Sequence, residues 1–234
     1  MNKRFAVIGL GQFGLAVARN LALHGAEVLA IDRDMDQVEM VKDDVAYAVA
    51  LDSTDIKALK SQNIAEMDAV LVAIGENVEG LLLTTVLLQE LGVNRIVARA
   101  VSDQQKKILE KLQVKEIISP EKQVGVMVAE QMITPERQSS MGLPDGYEIV
   151  QVKVPPKVHG RTVDEIDFEE SYELRLICIR RSYEMPSSDL RGIIEKEDHL
   201  LSRPQLSTVL NSSDTLILFG KTDDIETFLK VNKI

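Results

Sequence analysis

A glycine-rich loop near residue 10 carries the clearest chemical signal in the chain. Gly9, Gly11 and Gly14 form the pattern G-x-G-x-x-G, directly after the apolar run 5–8 and at the start of a helical pattern. The first glycine allows a tight turn, the second lets the backbone approach a phosphate, and the third lets helix and strand pack closely. The helix N-terminus would then present free N–H groups and a partial positive charge to that phosphate. The loop therefore predicts a phosphate site, with Gln12 and Phe13 as further contacts.

An acidic residue completes the fingerprint of a dinucleotide-binding fold. Asp32 ends the second apolar run, 28–31. Its carboxylate is expected to accept hydrogen bonds from ribose hydroxyls, and it disfavours the 2′-phosphate of NADP. The fingerprint does not choose between NAD, ATP, ADP and AMP, because all of them share adenosine and phosphate groups.

Further candidate contacts lie where the other apolar runs end. In open α/β sheets, ligands bind outside the carboxyl ends of the strands. The third, fourth and fifth runs end at the following candidates: Asp52, Ser53, Thr54, Ala73, Ile74, Gly75 and Arg99. A cation such as Arg99 is well placed there to meet a phosphate, whereas Asp52 is equally well explained as a helix-capping acid. On local grounds, Glu121 is typical of an acid that stabilises a helix N-terminus.

These candidates need a framework of alternating strands and helices. The apolar runs 5–8, 28–31, 45–51, 69–74, 96–100 and 116–118 alternate with helical patterns. Strict β-α alternation predicts a parallel sheet with helices on both faces. We therefore expect an α/β, Rossmann-like, doubly wound domain over residues 1–134, in which Thr54 caps the helix after the third strand.

The second half of the chain has a different pattern. Residues 134–146 are rich in Pro, Gly and Ser and lack an apolar period, so we expect a linker there. Strands are predicted at 147–154, 174–179 and 215–219, with a short helix near 224–231, whereas 183–213 reads as irregular. These elements predict a smaller α+β domain over residues 147–234.

Composition excludes several classes of protein. The 234 residues are 45% hydrophobic and 27% charged, which is typical of a soluble folded chain. A net charge of −10 argues against nucleic acid as a partner, because neutralising phosphates takes a basic face. One cysteine permits no intramolecular disulfide. No apolar run of about 18 residues occurs, and the start lacks a signal-peptide pattern, so we expect a cytoplasmic protein.

The chain also lacks a catalytic complement for nucleotide chemistry. A dehydrogenase needs a proton donor or acceptor beside the substrate carbonyl. His24, His159 and His199 all lie in polar or turn surroundings, and Cys178 lies inside an apolar run. A nucleotide pocket without such groups predicts a sensor and not an enzyme. A small NAD-dependent oxidoreductase is the alternative class.

Several segments between residue 5 and about residue 132 form a specific set: FAVIGLGQFG, HGAEVLAID, ALDSTD, VLVAIGENVE, LTTVLLQELG, VARA and LEKLQVKEIISPEKQVG. Together they resemble the RCK (also called KTN) family, the cytoplasmic regulatory subunits of Ktr/Trk-type potassium uptake systems. The smaller half resembles the C-terminal RCK module of the family through VHGRTVDEI, LICIRR and SSDTLILFG.

The resemblance implies a gating subunit that assembles into a ring, and the shape of the ring depends on whether ATP or ADP is bound. It implies homodimers that assemble into an octameric ring beneath an integral-membrane K⁺-translocating subunit, at the inner face of the cell membrane. It assigns Gly9, Gly11, Gly14 and Arg99 to the phosphates, Asp32 and Arg33 to the ribose, and Asp52 and Ser53 to the adenine. Glu121, in the S-P-E-K motif, matches an acid that helps bind a divalent or monovalent cation between ATP phosphates of paired subunits.

One departure from the family pattern bears on the ligand. Gln12 stands where many ATP-responsive members carry an arginine, and glutamine brings no charge. NAD or NADH, as in the Trk branch, is therefore an alternative ligand, and another cation transporter is an alternative partner. Some family C-terminal modules bind cyclic di-AMP, and by analogy Ile179, Ile194 and Pro204 are candidate contacts for it.

Overall fold

The computed structural model describes residues 3–186 and 194–233. Within them the chain forms two compact units, Met1–Val124 and Gly125–Ile234. Among the described residues, no helix is both long and apolar enough to cross a membrane.

Strands and helices alternate over residues 4–133, and the last of these helices continues past Val124, where the first unit ends. In chain order the elements are β1 (Arg4–Ile8), α1 (Gln12–Leu23), β2 (Glu27–Asp32), α2 (Met35–Glu39), β3 (Tyr47–Ala50), α3 (Ile56–Ser61), β4 (Ala69–Val72), α4 (Val78–Glu90), β5 (Ile96–Arg99), α5 (Asp103–Lys111), β6 (Glu116–Ile118) and α6 (Pro120–Ile133). The strands form a six-stranded sheet in the order β3-β2-β1-β4-β5-β6, and every pair is parallel. This confirms the predicted Rossmann-like fold.

The first sheet is covered on both faces, which explains its apolar strands. In β1, Val7 packs with Ala18 of α1 on one face, whereas Ile8 packs with Leu81 of α4 on the other. All four residues of β4 are buried. Strands buried on both faces read as continuous apolar runs instead of alternating ones. From β1 the chain first adds β2 and β3 on one side and then crosses to add β4, β5 and β6 on the other side. This change of direction creates a crevice at the carboxyl ends of the strands.

The helices of the first unit begin with different caps. A side-chain oxygen accepts a hydrogen bond from a first-turn backbone N–H in α2, α3, α4 and α5, the capping residues being Asp34, Asp55, Asn77 and Ser102. Helix α1 instead has Gly11 as its N-cap residue, and no side chain caps its first turn. The prediction that Thr54 caps α3 was wrong. Asp55 takes that place, because the hydroxyl of Thr54 donates to the carboxylate of Asp52 at 2.6 Å.

The second unit is an antiparallel sheet with helices. Its elements are β7 (Arg137–Gly142), β8 (Tyr147–Lys153), α7 (Val163–Ile166), α8 (Phe168–Tyr172), β9 (Arg175–Pro186), β10 (Ile194–Leu201), β11 (Thr215–Lys221) and α9 (Thr222–Asn232). The strand order is β10-β9-β11-β8-β7. A separate core gathers Phe168, Leu174, Leu216, Ile225 and Phe228. This confirms the predicted α+β class of the smaller half.

Two segments of the second unit differ from prediction. Residues 137–142, predicted as part of a linker, form β7 and pair with β8, with Met141 opposite Ile149. The segment predicted as irregular contains the end of β9 and all of β10. Both β7 and β10 lie at the edges of the sheet. Edge strands pair through the backbone and tolerate polar side chains, so they lack the apolar signal of a central strand.

Candidate nucleotide-binding site

A cavity of about 780 Å³ opens at the carboxyl ends of β1 to β5. Its volume lies in the usual range for cofactor pockets, roughly 300–1,000 Å³. The residues predicted from sequence that line it are Gly9, Gly11, Gln12, Phe13, Asp32, Arg33, Asp52, Ser53, Thr54, Ala73, Ile74, Gly75 and Arg99. Gly14 lies behind the loop, and Glu121 does not line the cavity but forms an ion pair with Arg99, which does.

The glycine loop has the geometry of a phosphate cradle. Gly9 has a φ of +94°, which favours glycine. A Cβ on Gly14 would lie 1.8 Å from the carbonyl oxygen of Gly9, so no other residue fits there. A Cβ on Gly11 would meet nothing within 4 Å, which leaves this side of the loop open to a ligand. Because α1 has no side-chain cap, its first N–H groups remain available to an anion.

Asp32 is held in place by backbone groups on either side of it. Its Oδ2 accepts a hydrogen bond from the N–H of Leu10 at 2.6 Å, and its Oδ1 accepts one from the N–H of Asp34 at 2.9 Å. Each carboxylate oxygen has a second lone pair, so both can still accept a ribose hydroxyl. The carboxylate thus ties the glycine loop to the end of β2 and faces the cavity.

The loop after β3 presents one charged and one buried polar group. The Asp52 carboxylate accepts hydrogen bonds from the hydroxyl and the N–H of Thr54, and these lower its pKa. Ser53 is buried, and its Oγ lies 2.7 Å from Oγ1 of Thr84 on α4. Because that hydroxyl already has a partner, Ser53 anchors the loop to α4. Asp52 is exposed and lines the cavity.

Arg99 extends into the cavity from the end of β5. Its guanidinium lies 5.3 Å from the ring centroid of Phe13 and forms an ion pair with the Glu121 carboxylate. The hydrogen bond from Arg99 lowers the pKa of Glu121. The buried Nε of Arg99 has no hydrogen-bond partner among the described residues. The positive charge of Arg99 therefore lies in the cavity beside the glycine loop, and some of its hydrogen-bond donors are already used by the Glu121 carboxylate.

Sequence reasoning missed other residues of the cavity. Those that line it are Asp34, Gln37, Glu76, Asn77, Glu79, Gly80, Leu83 and Val101. It also missed the buried Gln105, whose Oε1 accepts from the N–H of Val101 at 2.8 Å and whose amide nitrogen donates to the carbonyl of Gly75 at 3.4 Å. This amide joins the loops after β4 and β5. Proximity to a strand end is the signal that could have found most of these residues.

Carboxylates line this cavity, but those in the described part of the chain do not converge on a metal site. Within the described ranges, no group of three or more His, Cys, Asp or Glu side chains could hold a metal ion. Glu121 is half exposed and is already paired with Arg99. The cation at Glu121 therefore stays a prediction.

The remaining titratable and apolar candidates lie elsewhere. Cys178 is a buried thiol, and burial raises its pKa, so its reactive thiolate is disfavoured. The ring of His24 contacts the carbonyl of Asn20 on its own helix. Ile179 is fully buried in the core of the second unit, so its side chain is not available to cyclic di-AMP. The side chain of Ile194 falls outside the described residues, and the cyclic di-AMP site stays a prediction.

Comparison with known proteins identifies relatives over nearly the whole chain. Residues 5–120 match the TrkA-N domain. The chain is 32% identical over 230 residues to Ktr system potassium uptake protein C of Bacillus subtilis, with 98% of this chain and 97% of that protein covered. It is 30% identical over 227 residues to Ktr system potassium uptake protein A of the same organism, with 97% and 96% covered.

Solved structures share the fold. The GsuK RCK domain superposes with a TM-score of 0.64 at 14% identity, covering 99% of this chain and 48% of that chain. The GsuK channel bound to NAD superposes with a TM-score of 0.62 at 14% identity, covering 99% of this chain and 39% of that chain. The predicted RCK resemblance is confirmed, and the chain belongs to the family of Ktr system potassium uptake proteins that carry a TrkA-N domain.

Proposed function

We propose that this chain is the nucleotide-binding regulatory subunit of a Ktr-type potassium uptake system and not an enzyme. The observation that carries the proposal is the cavity of about 780 Å³, in which an uncapped glycine loop, Asp32 and Arg99 face one another. Its membership of the Ktr family supplies the context. The chain would act at the inner face of the cell membrane, through an integral-membrane subunit that translocates K⁺.

The ligand we favour is ATP or ADP. The glycine loop and Arg99 suit phosphates, and Asp32 suits a ribose with a free 2′-hydroxyl. NAD or NADH is the second candidate, since Gln12 brings no charge for a terminal phosphate. The apolar side chains Ile74, Leu83 and Val101 also line the cavity and would suit a nicotinamide ring. For ATP, we propose that Glu121 contributes one ligand to a cation bound by the phosphates.

A homodimer, assembled further into an octameric ring, is the proposed working form. Residues 1–134 would bind the nucleotide, and residues 147–234 would serve sensing and dimerisation. None of the residues of α6 is buried, although Val124, Val128 and Met132 form an apolar stripe along it with 52%, 42% and 78% of their surface exposed. Residues spaced by four lie on one face of a helix. An exposed apolar stripe of this kind fits a second copy of the chain.

The proposed mechanism is a shift between two ring shapes. A ligand moves such an equilibrium only by its differential affinity for the two states. A difference of about 1–3 kcal/mol, typical of allosteric coupling, is sufficient for a useful response. The γ-phosphate of ATP, with its charge and its cation, is a source of that difference between ATP and ADP.

The nucleotide site is tested first by substituting Asp32. Asp32→Ala should weaken ATP, ADP and NAD alike by about tenfold or more, because it removes a charged hydrogen-bond acceptor. Calorimetry measures the affinities, and mass spectrometry identifies the nucleotide released from the purified protein. Asp43→Ala is the control, since Asp43 is exposed and does not line the cavity. Equal affinities for wild type and Asp32→Ala would remove the basis of the proposal.

Regulation is tested in cells. K⁺ uptake should depend on co-expression of the chain with its membrane subunit, and Asp32→Ala should leave uptake insensitive to the ATP/ADP ratio. NADH oxidation with carbonyl substrates, followed at 340 nm, would instead favour an oxidoreductase. Co-purification with a transporter for another cation would change the partner but not the nucleotide site.

A further inference from the structure

Two ion pairs lie at opposite ends of β5, and each is made by an arginine. At the amino ends, Arg95, which directly precedes β5, donates two hydrogen bonds of 2.7 Å to Glu116 at the start of β6. Past the carboxyl ends, Arg99 pairs with Glu121 in the first turn of α6. The first pair lies away from the nucleotide cavity, whereas the second contains the cation that faces it. The two pairs thus have similar chemistry and different surroundings.

The guanidinium of Arg99 is held on several sides. The ring of Phe13 from the glycine loop lies 5.3 Å away, and the carbonyl of Ala73 lies 3.5 Å from Nη1. A Cβ on Gly75 would come within 3.2 Å of the same Nη1, so glycine makes room for the side chain there. The side chain of Arg99 is only 17% exposed, whereas that of Glu121 is 51% exposed. The arginine is therefore the more enclosed member of the pair, and the glutamate is the member that solvent reaches.

A carboxylate and a phosphate compete for the same face of a guanidinium. Each presents a pair of anionic oxygens that the N–H donors of arginine can bind in a bidentate geometry. We propose that Glu121 is an internal competitor of the nucleotide phosphates for Arg99, so that phosphate binding opens the Arg99–Glu121 pair and releases the Glu121 carboxylate at the mouth of the cavity. This inference rests on the proposed nucleotide site and specifies how its phosphate affinity is set.

The competition has a measurable consequence for affinity. When only a fraction of molecules has Arg99 free, the apparent Kd for a phosphate ligand is raised by the inverse of that fraction. A half-exposed ion pair is of modest strength, so the effect should be about threefold to tenfold. The released carboxylate becomes free to bind a cation beside the phosphates, which makes phosphate binding a precondition for cation binding at Glu121.

The experiment measures ADP affinity without divalent cations. Calorimetry is carried out in EDTA on full-length wild type, Glu121→Gln, Arg99→Gln and the double variant. Glu121→Gln should bind ADP about threefold to tenfold more tightly than wild type. Adenosine, which has no phosphate, should bind both proteins equally. In the Arg99→Gln background, Glu121→Gln should have no effect, because the competed group is gone. Glu116→Gln, which breaks the distant pair, should match wild type.

The outcomes separate this inference from the nucleotide proposal. ADP binding that is unchanged or weaker in Glu121→Gln overturns the competition but leaves the nucleotide site standing. Equal tightening for adenosine and ADP also overturns it, because the effect would then not act on phosphate. Persistence of the full tightening in the Arg99→Gln background, or an equal tightening in Glu116→Gln, would show a general charge effect instead. Absence of any adenine-nucleotide binding in all variants would overturn both proposals together.

Discussion

At the scale of single residues, Asp52 shows how a local hydrogen bond maintains a charge at the cavity. Its carboxylate accepts from the hydroxyl of Thr54 at 2.6 Å and from the N–H of the same residue at 2.9 Å. Both bonds favour the ionised form and lower the pKa from 3.8. A lowered folded pKa means that this stabilisation is present above the unfolded pKa and is lost as the pH falls through the folded one.

Removing the hydroxyl should therefore produce a pH-dependent loss of stability. Thr54→Val is expected to lower the free energy of unfolding at pH 7 by about 0.5 kcal/mol, a small value because Asp52 is exposed. The difference from wild type should shrink as the pH falls below 3.8. Urea denaturation of the ligand-free protein measures it. Thr227→Val is the control. The hydroxyl of Thr227 donates to the backbone carbonyl of Asp223, and a backbone carbonyl does not change its charge with pH. A difference that is the same at every pH would contradict this account.

At the scale of elements, two substitutions in the glycine loop should distinguish effects on stability from effects on nucleotide binding. Gly14→Ala should lower the free energy of unfolding by about 2 kcal/mol or more and abolish nucleotide binding, because its Cβ would overlap the carbonyl oxygen of Gly9. Gly11→Ala should leave stability within about 0.5 kcal/mol of wild type but still abolish binding, because its Cβ points into open space that the phosphate needs. Thermal unfolding and calorimetry test both. Normal ADP binding by Gly11→Ala would show that the phosphate lies elsewhere.

Helix α6 allows a test of association. Val128→Lys should shift the protein from dimer to monomer, because it places a charge in the exposed apolar stripe. Sedimentation velocity at several concentrations measures the change. Gln123→Lys adds the same charge to an exposed position outside the stripe and should remain dimeric. If both variants and wild type sediment alike, α6 is not the contact between copies.

The elements also show what could be predicted from the sequence and what could not. The inner strands β1, β2 and β4 were predictable because most of their residues are buried, which leaves continuous apolar runs. The edge strands β7 and β10 were not, because their pairing is made by backbone groups that every residue carries. In the site, the strand-end rule located Asp32 and Arg99. It could not show that Arg99 pairs with Glu121, which lies 22 residues away, because that contact depends on how β5 and α6 pack.

At the scale of the whole molecule, the two compact units should respond differently to ligand. ADP at about 100 times its Kd should add about 2.7 kcal/mol to the stability of the state that binds it. Hydrogen exchange should slow in β1, β2 and β4, which surround the cavity, and not in β8 and β11 of the second unit. Asp32→Ala should remove the effect. Equal protection of β8 and β11 would mean that the units unfold together.

The capping pattern of the first unit also bears on where an anion binds in a chain of net charge −10. At the N-termini of α2 to α5, a diffusible anion must displace an acceptor that the chain itself supplies. At α1 it displaces only solvent, because Gly11 has no side chain to offer. We therefore expect the phosphate at α1, where one acceptor oxygen is missing and Arg99 is the nearby cation. Such a site can discriminate among helix ends in one molecule while leaving the surface free to remain acidic.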